Sequence, residues 1–154
     1  MKKIILIVLV FTMATNAQLV RYDDSDIVKD TVTKLQWDDK DYYEDPGNDS
    51  PSKVASNLQD AIDFCENSDL NNHLDWRLPN VNELKTIVDI SKYGPAIDGN
   101  FSSTENGAYW TSTSDIKNIN KVFSVNFGDG LSFSSLKLSA DDYNVRCVRV
   151  DDSD

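Results

Sequence analysis

Asp75-Trp76-Arg77-Leu78-Pro79-Asn80-Val81-Asn82-Glu83-Leu84 is the stretch that decides how this chain folds. Pro79 favours an extended Leu78, so the backbone arrives straight at whatever comes next. Asn80 and Glu83 then stand at capping-box spacing, and Leu84, Ile87 and Val88 form an apolar stripe. The spacing predicts an extended segment delivering the chain into a helix. Trp76 and Arg77, so near the helix start, read as structural residues: a buried indole needs an acceptor, and a guanidinium can tie down carbonyls or a carboxylate.

Upstream, Val54, Leu58, Ala61, Ile62 and Cys65 are spaced to share one helical face. Ser56 and Gln59 have capping-box spacing, which starts the regular helix near Asn57. The helix ends within Glu66-Asn67-Ser68-Asp69, leaving Cys65 in its last turn on the buried face. Further upstream, Gln18 to Tyr22 and Val32 to Trp37 read as strands on either side of the acidic turn Asp23-Asp24-Ser25-Asp26. Asp38 to Pro51 has no apolar periodicity and reads as a loop.

Downstream, Ser91 to Gly107 reads as irregular, with Gly94, Pro95, Gly99 and Gly107 breaking it. From Ala108 the period changes to that of strands. Tyr109-Trp110-Thr111-Ser112 is one, and Phe123, Val125 and Phe127 alternate with Ser124 and Asn126 in the next. Gly128-Asp129-Gly130 reverses the chain into Leu131-Ser132-Phe133. The alternation slips at Ser134-Ser135, where a bulge or bend is expected. Tyr143 to Val150 carries apolar residues on both faces and reads as a single central strand. The expected fold is one α+β domain.

The N-terminus bears on compartment. Lys2-Lys3, the apolar run Ile4 to Phe11 and the small residues Thr15 and Ala17 have the pattern of a secretory signal peptide over residues 1–17, with a single domain over 18–154. The apolar run is far shorter than the ~20 residues of a membrane-spanning helix, and no second one follows. Removing Lys2 and Lys3 takes the formal charge from −11 to −13. So acidic a surface repels polyanions, which argues against nucleic acid as a partner. Two cysteines, Cys65 and Cys147, occur in the chain. In an oxidising compartment an isolated pair is most simply one disulfide, with two unlinked buried thiols as the alternative.

Six pieces in order carry a family resemblance: Asp30 to Trp37, Ala61 to Cys65, Asp75 to Pro79 with Glu83-Leu84, Tyr109 to Ser112, Val125 to Gly130, and Val145-Arg146-Cys147-Val148-Arg149. Together they resemble the Lcl C-terminal domain family of exported bacterial domains. The resemblance implies a C-type-lectin-like fold, in which an early helix is joined to the final strand by a disulfide, here Cys65 to Cys147. Trp37, Trp76, Arg77, Leu78, Pro79, Glu83 and Arg146 are its structural motif residues. Where Lys34 stands the family usually has glycine, so the turn there is expected to differ.

Little in the sequence points to catalysis. Arg-Leu-Pro before a helix also resembles a piece of the formylglycine-generating enzymes, but both cysteines already have structural places. The calcium-dependent sugar-binding tripeptides of true C-type lectins, Glu-Pro-Asn and Gln-Pro-Asp, are absent. Asp38 to Asp45 has oxygen ligands enough for a calcium ion without the regular spacing of a dedicated loop. His73 is the sole histidine and reads as a surface loop residue. The resemblance implies a non-catalytic binding or adhesion module for a glycan or an extracellular protein, with a structural subunit of an envelope assembly as the alternative. The expected site combines Tyr109 or Trp110, one of them exposed as a stacking platform, with Asp115, Lys117, Asn118 and Asn120. It draws on the loops Ser91–Gly107 and Ser114–Asn120.

Overall fold

The computed structural model describes residues 19–21, 26–40 and 53–152. The expected signal peptide, the acidic turn before Asp26 and Asp41 to Asp45 of the proposed calcium loop lie outside the described residues. Among the described residues the chain runs β1 (Leu19–Arg21), β2 (Ile27–Asp30), β3 (Leu35–Asp38), β4 (Val54–Asn57), α1 (Leu58–Glu66), a 3₁₀ turn (Leu70–Asn72) and α2 (Val81–Lys85). It continues with β5 (Ala108–Ser114), β6 (Lys121–Asn126), β7 (Leu131–Leu136), β8 (Leu138–Asn144) and β9 (Val148–Val150). One sheet has the order β1-β2-β3-β9 and the other β4-β8-β5-β6-β7. All pairings are antiparallel except β5 with β8, which meet in parallel at Tyr109 and Asn144.

The first sheet holds one strand more than expected. Val32 and Thr33 are not in a strand, because the Asp30 carboxylate accepts from their amides at 2.8 and 3.1 Å and Lys34 N donates to Asp30 O at 3.0 Å. This side-chain-to-backbone turn overrides the β-branched residues and splits the segment into β2 and β3. Lys34 closes the turn at φ 59°, a conformation that suits glycine better than lysine.

Helix α1 starts one residue later than a Ser56 cap would place it. Asn57 is the cap, accepting from Asp60 N at 2.9 Å, while Val54 belongs to β4. Ala61 and Cys65 face inward, and Cys65 is bonded to Cys147 with Cα atoms 5.4 Å apart. Helix α2 has the full capping box predicted from Asn80 and Glu83, yet spans only five residues. Ile87 and Val88 follow its end; Val88 forms a bridge with Ile97, which ties down the irregular stretch beyond.

The β half departs from expectation at three places. Phe123 is half-buried and Ser124 fully buried, so the inward face of β6 at that end is Val122 and Ser124. Ser124 is tolerated there because its hydroxyl lies 2.8 Å from that of Ser135. Residues 131–136 pair with β6 in unbroken register, and the bend falls at Lys137 instead of Ser134-Ser135. Tyr143 to Val150 is two strands, not one. The chain leaves the second sheet after Asn144 and enters the first at Val148, and it is buried on both sides because it passes between them.

That crossing lies between two cores. Trp76, Trp110, Ala61, Val122, Val145 and the disulfide pack in one. Trp37, Val28, Leu84, Ile87, Tyr109, Val125, Phe127 and Val148 pack in the other. Neighbouring residues on a strand point to opposite faces, so Tyr109 and Trp110 enter different cores, as do Cys147 and Val148.

Candidate functional site

The Trp-Arg-Leu-Pro segment is a strut. Trp76 is 2% exposed and its Nε1 donates to Leu70 O at 3.1 Å. Arg77 exchanges backbone hydrogen bonds with Val148, both at 2.9 Å, and its guanidinium grips both Glu83 oxygens at 2.8 and 2.7 Å. Glu83 also accepts from Asn80 N. Burial pushes the Glu83 carboxyl up, but Arg77 and the Asn80 amide outweigh it and hold the group below its ordinary value. Leu78 and Pro79 are buried, and Pro79 O accepts from Ser112 N at 2.9 Å. One segment thereby locks α2 to β5 and β9.

Arg146 lies in the crossing between the sheets and is 1% exposed. Its guanidinium donates to Asp38 O at 2.8 Å, Asp39 Oδ1 at 3.0 Å, Thr104 Oγ1 at 2.8 Å and Ser103 O, and it lies 4.7 Å above the Phe101 ring. Asp39 also pairs with Arg21 and accepts from the amides of Ser102 and Ser103 at 2.8 and 3.1 Å. Burial raises the Asp39 carboxyl, but Arg146, the Ser102 amide and Arg21 together hold it below its ordinary value. Lys53 stands 3.3 Å from Asp38, and burial lowers its ammonium to about 8 against the pull of that carboxylate. Trp37 is fully buried, and its Nε1 has no acceptor among the described residues. Arg149 adds a second buried guanidinium, bonded to Asp75, Gln36 and Asp152.

The predicted ligand site does not assemble. Tyr109 is 3% exposed and Trp110 not exposed at all, so neither ring is a platform for a ligand. Both faces of β5 are covered, which is why the expected exposed partner is missing. Tyr109 accepts from Glu105 N through its hydroxyl, and Trp110 Nε1 donates to Ala55 O at 2.8 Å. Asp115 and Asn118 spend their oxygens on the amides of Lys117 and Asn120, and Asp115 also accepts from Ser134. Lys117, Asn118 and Asn120 are exposed. The two loops expected to combine lie at opposite ends of the β5–β6 ladder. The 115–120 loop joins β5 to β6, whereas Gly107 meets Phe127 at the far end.

At that far end the structure brings together residues the sequence reading did not single out. Gly94 N donates to Gly128 O at 3.2 Å, Ala96 N to Phe127 O at 2.6 Å, and Phe127 N to Gly107 O at 2.8 Å. Three segments are therefore fastened side by side. A methyl group on Gly128 would stand 2.9 Å from Asn106 Oδ1 and 2.9 Å from Asn126 Oδ1; one on Gly94 would stand 3.3 Å from Asn106 Nδ2. The two glycines let the Asn106 amide lie against the backbone, and Gly94 has φ +56° with a cis bond to Pro95. Beside them Tyr93 is 84% exposed and Asn106 is exposed. Exposed Tyr93 thus adjoins, through Gly94, a fixed backbone that carries the Asn106 amide and the Asn126 amide, whose Oδ1 accepts from Gly128 N at 2.7 Å. The glycines within Ser91–Gly107 marked the segment; nothing in its periodicity marked Tyr93.

Among the described residues no group of three or more His, Cys, Asp or Glu side chains could hold a metal ion. Of the proposed calcium loop Asp38, Asp39 and Lys40 are described, and both carboxylates already face cations. His73 is half-buried just after the 3₁₀ turn. No helix among the described residues is long and apolar enough to cross a membrane.

Two sheets braced by buried arginines, with a helix cross-linked to the chain just before the last strand, define a disulfide-closed α+β module. The model of the Lcl C-terminal domain matches residues 26–149, and the chain belongs to that family. No curated protein matches it.

Proposed function

We propose that the chain is an exported, non-catalytic binding module of C-type-lectin-like fold that takes a glycan, or the glycosylated surface of an extracellular protein, at the Tyr93–Asn106–Asn126 rim. The observation that carries this reading is that exposed Tyr93 precedes Gly94, which is hydrogen-bonded to Gly128 where the Asn106 and Asn126 amides lie against the backbone. An aromatic face packs on the apolar face of a sugar ring while amides satisfy its hydroxyls. Export is supported by the signal-peptide pattern of residues 1–17 and by a disulfide suited to an oxidising compartment. The lectin-like fold is supported by a cross-link from α1 to the residue just before β9.

A glycan array probed with the protein, with and without calcium, tests the reading. Binding is expected to fall roughly tenfold or more in Tyr93→Ala, the loss of about 1.4 kcal/mol of stacking, with the melting temperature unchanged. No glycan bound in either condition, or full binding by Tyr93→Ala, overturns it.

A further inference from the structure

Sheet edges expose unpaired amides and carbonyls, and proteins usually blunt them with short strands, charges, prolines or bulges. Here β1 and β9 are three residues long, and β4 is four residues with a register shift. The remaining edge, β7, has none of these devices. Leu131-Ser132-Phe133-Ser134-Ser135-Leu136 carries no charge and no proline, and all six residues pair with β6 without a bulge. Among the described residues β6 is its sole strand partner. Leu131 is 65%, Phe133 36% and Leu136 54% exposed.

The charges flanking this strand select its occupant. Exposed Asp129 stands before it and half-buried Lys137 after it, and neither makes an ion pair among the described residues. We infer that β7 pairs antiparallel with β7 of a second copy of this chain, with Phe133 opposite Phe133 on the two-fold axis. That register brings Asp129, in the turn entering β7, and Lys137, at the bend leaving it, to the same end of the ladder from the two copies, so an attractive charge pair flanks each end. Leu131 faces Ser135 and Ser132 faces Ser134, which keeps like faces of the two sheets on the same side. Slipping the register by one residue turns one sheet over, and slipping it by two separates the charges. Opposite charges and paired aromatics directly across a ladder both favour it. The isologous arrangement closes at two copies.

Sedimentation equilibrium of the purified protein, up to millimolar concentration, reads the association. A dimer is expected, weakening as salt rises. Asp129→Lys and Lys137→Asp each place like charges opposite one another twice and should weaken self-association roughly tenfold or more. Mixing these two variants should restore dimers, because the mixed pair has Lys opposite Asp at both ends. The mixture also controls for folding, since a misfolded variant could not be rescued by its counterpart. A protein monomeric throughout, a dimer indifferent to either charge reversal, or a failure of the mixture to pair overturns the inference.

Discussion

Replacing Arg146 by Met keeps most of the buried stem and removes only the guanidinium. The consequence follows from what that group holds. It satisfies the buried Asp38 carbonyl and Asp39 carboxylate and the half-buried Ser103 carbonyl and Thr104 hydroxyl. Without it Asp39, itself 1% exposed, keeps Arg21 and the Ser102 and Ser103 amides but loses its buried counter-charge. Removing one partner of a buried pair costs about 3–5 kcal/mol. For a domain whose whole stability is of order 5–15 kcal/mol, that is a large share. Urea unfolding at neutral pH should therefore show a much lower midpoint at unchanged slope. Asp39→Asn should also destabilise, and the double variant should lose about 0.5–3 kcal/mol less than the sum of the single losses. The acid limb offers a second readout. Because Asp39 titrates below its ordinary 3.8 when folded, its stabilisation is present above that pH and is lost as pH falls through the folded value. Arg146→Met should shrink that limb. A loss under about 1 kcal/mol, or strict additivity with Asp39→Asn, would refute the claim that this arginine braces the crossing between the two sheets.

Removing the disulfide by Cys65→Ala with Cys147→Ala should cost about 4.5 kcal/mol, given a loop of 82 residues, read as a lower midpoint in denaturant. Lys34→Gly should stabilise by about 0.5–1 kcal/mol, since glycine adopts φ 59° without a steric penalty while losing more chain entropy on folding; thermal melts would show it. Burial lowers Lys53 from 10.5 to about 8, so between those values the unfolded chain holds more protons and stability rises with pH. The full rise is on the order of 3 kcal/mol. It should be followed below about pH 10, above which the raised Tyr109 acts with the opposite sign, and Lys53→Met should flatten it.

Local signals survived into the structure where a short-range interaction decided the outcome. The Asn80–Glu83 capping box, the reversal at Gly128 to Gly130 and the helical face carrying Cys65 are each fixed by residues within a few positions of one another. A competing local interaction overrides strand propensity at Val32 and Thr33, where the Asp30 carboxylate turns the chain. The expected exposure of one of Tyr109 and Trp110 fails for a different physical reason. Alternation says that two neighbours on a strand point apart, but whether both sides are covered depends on elements distant in the chain.

The sequence by itself determined an α+β chain, the straight run from Trp76 into the helix capped by Asn80 and Glu83, the membership that its ordered motifs announced, and the two cysteines available for one cross-link. Only the tertiary structure decided that Val145 to Arg149 passes between two sheets, that Arg146 is buried against Asp39, and that Gly94, next to Tyr93 in the chain, is fastened to Gly128 beside Asn106 and Asn126. The physical reason is range. Caps, turns and strand periods arise from neighbouring residues, whereas burial and the partners of a charge are set by whichever distant segments the fold brings alongside.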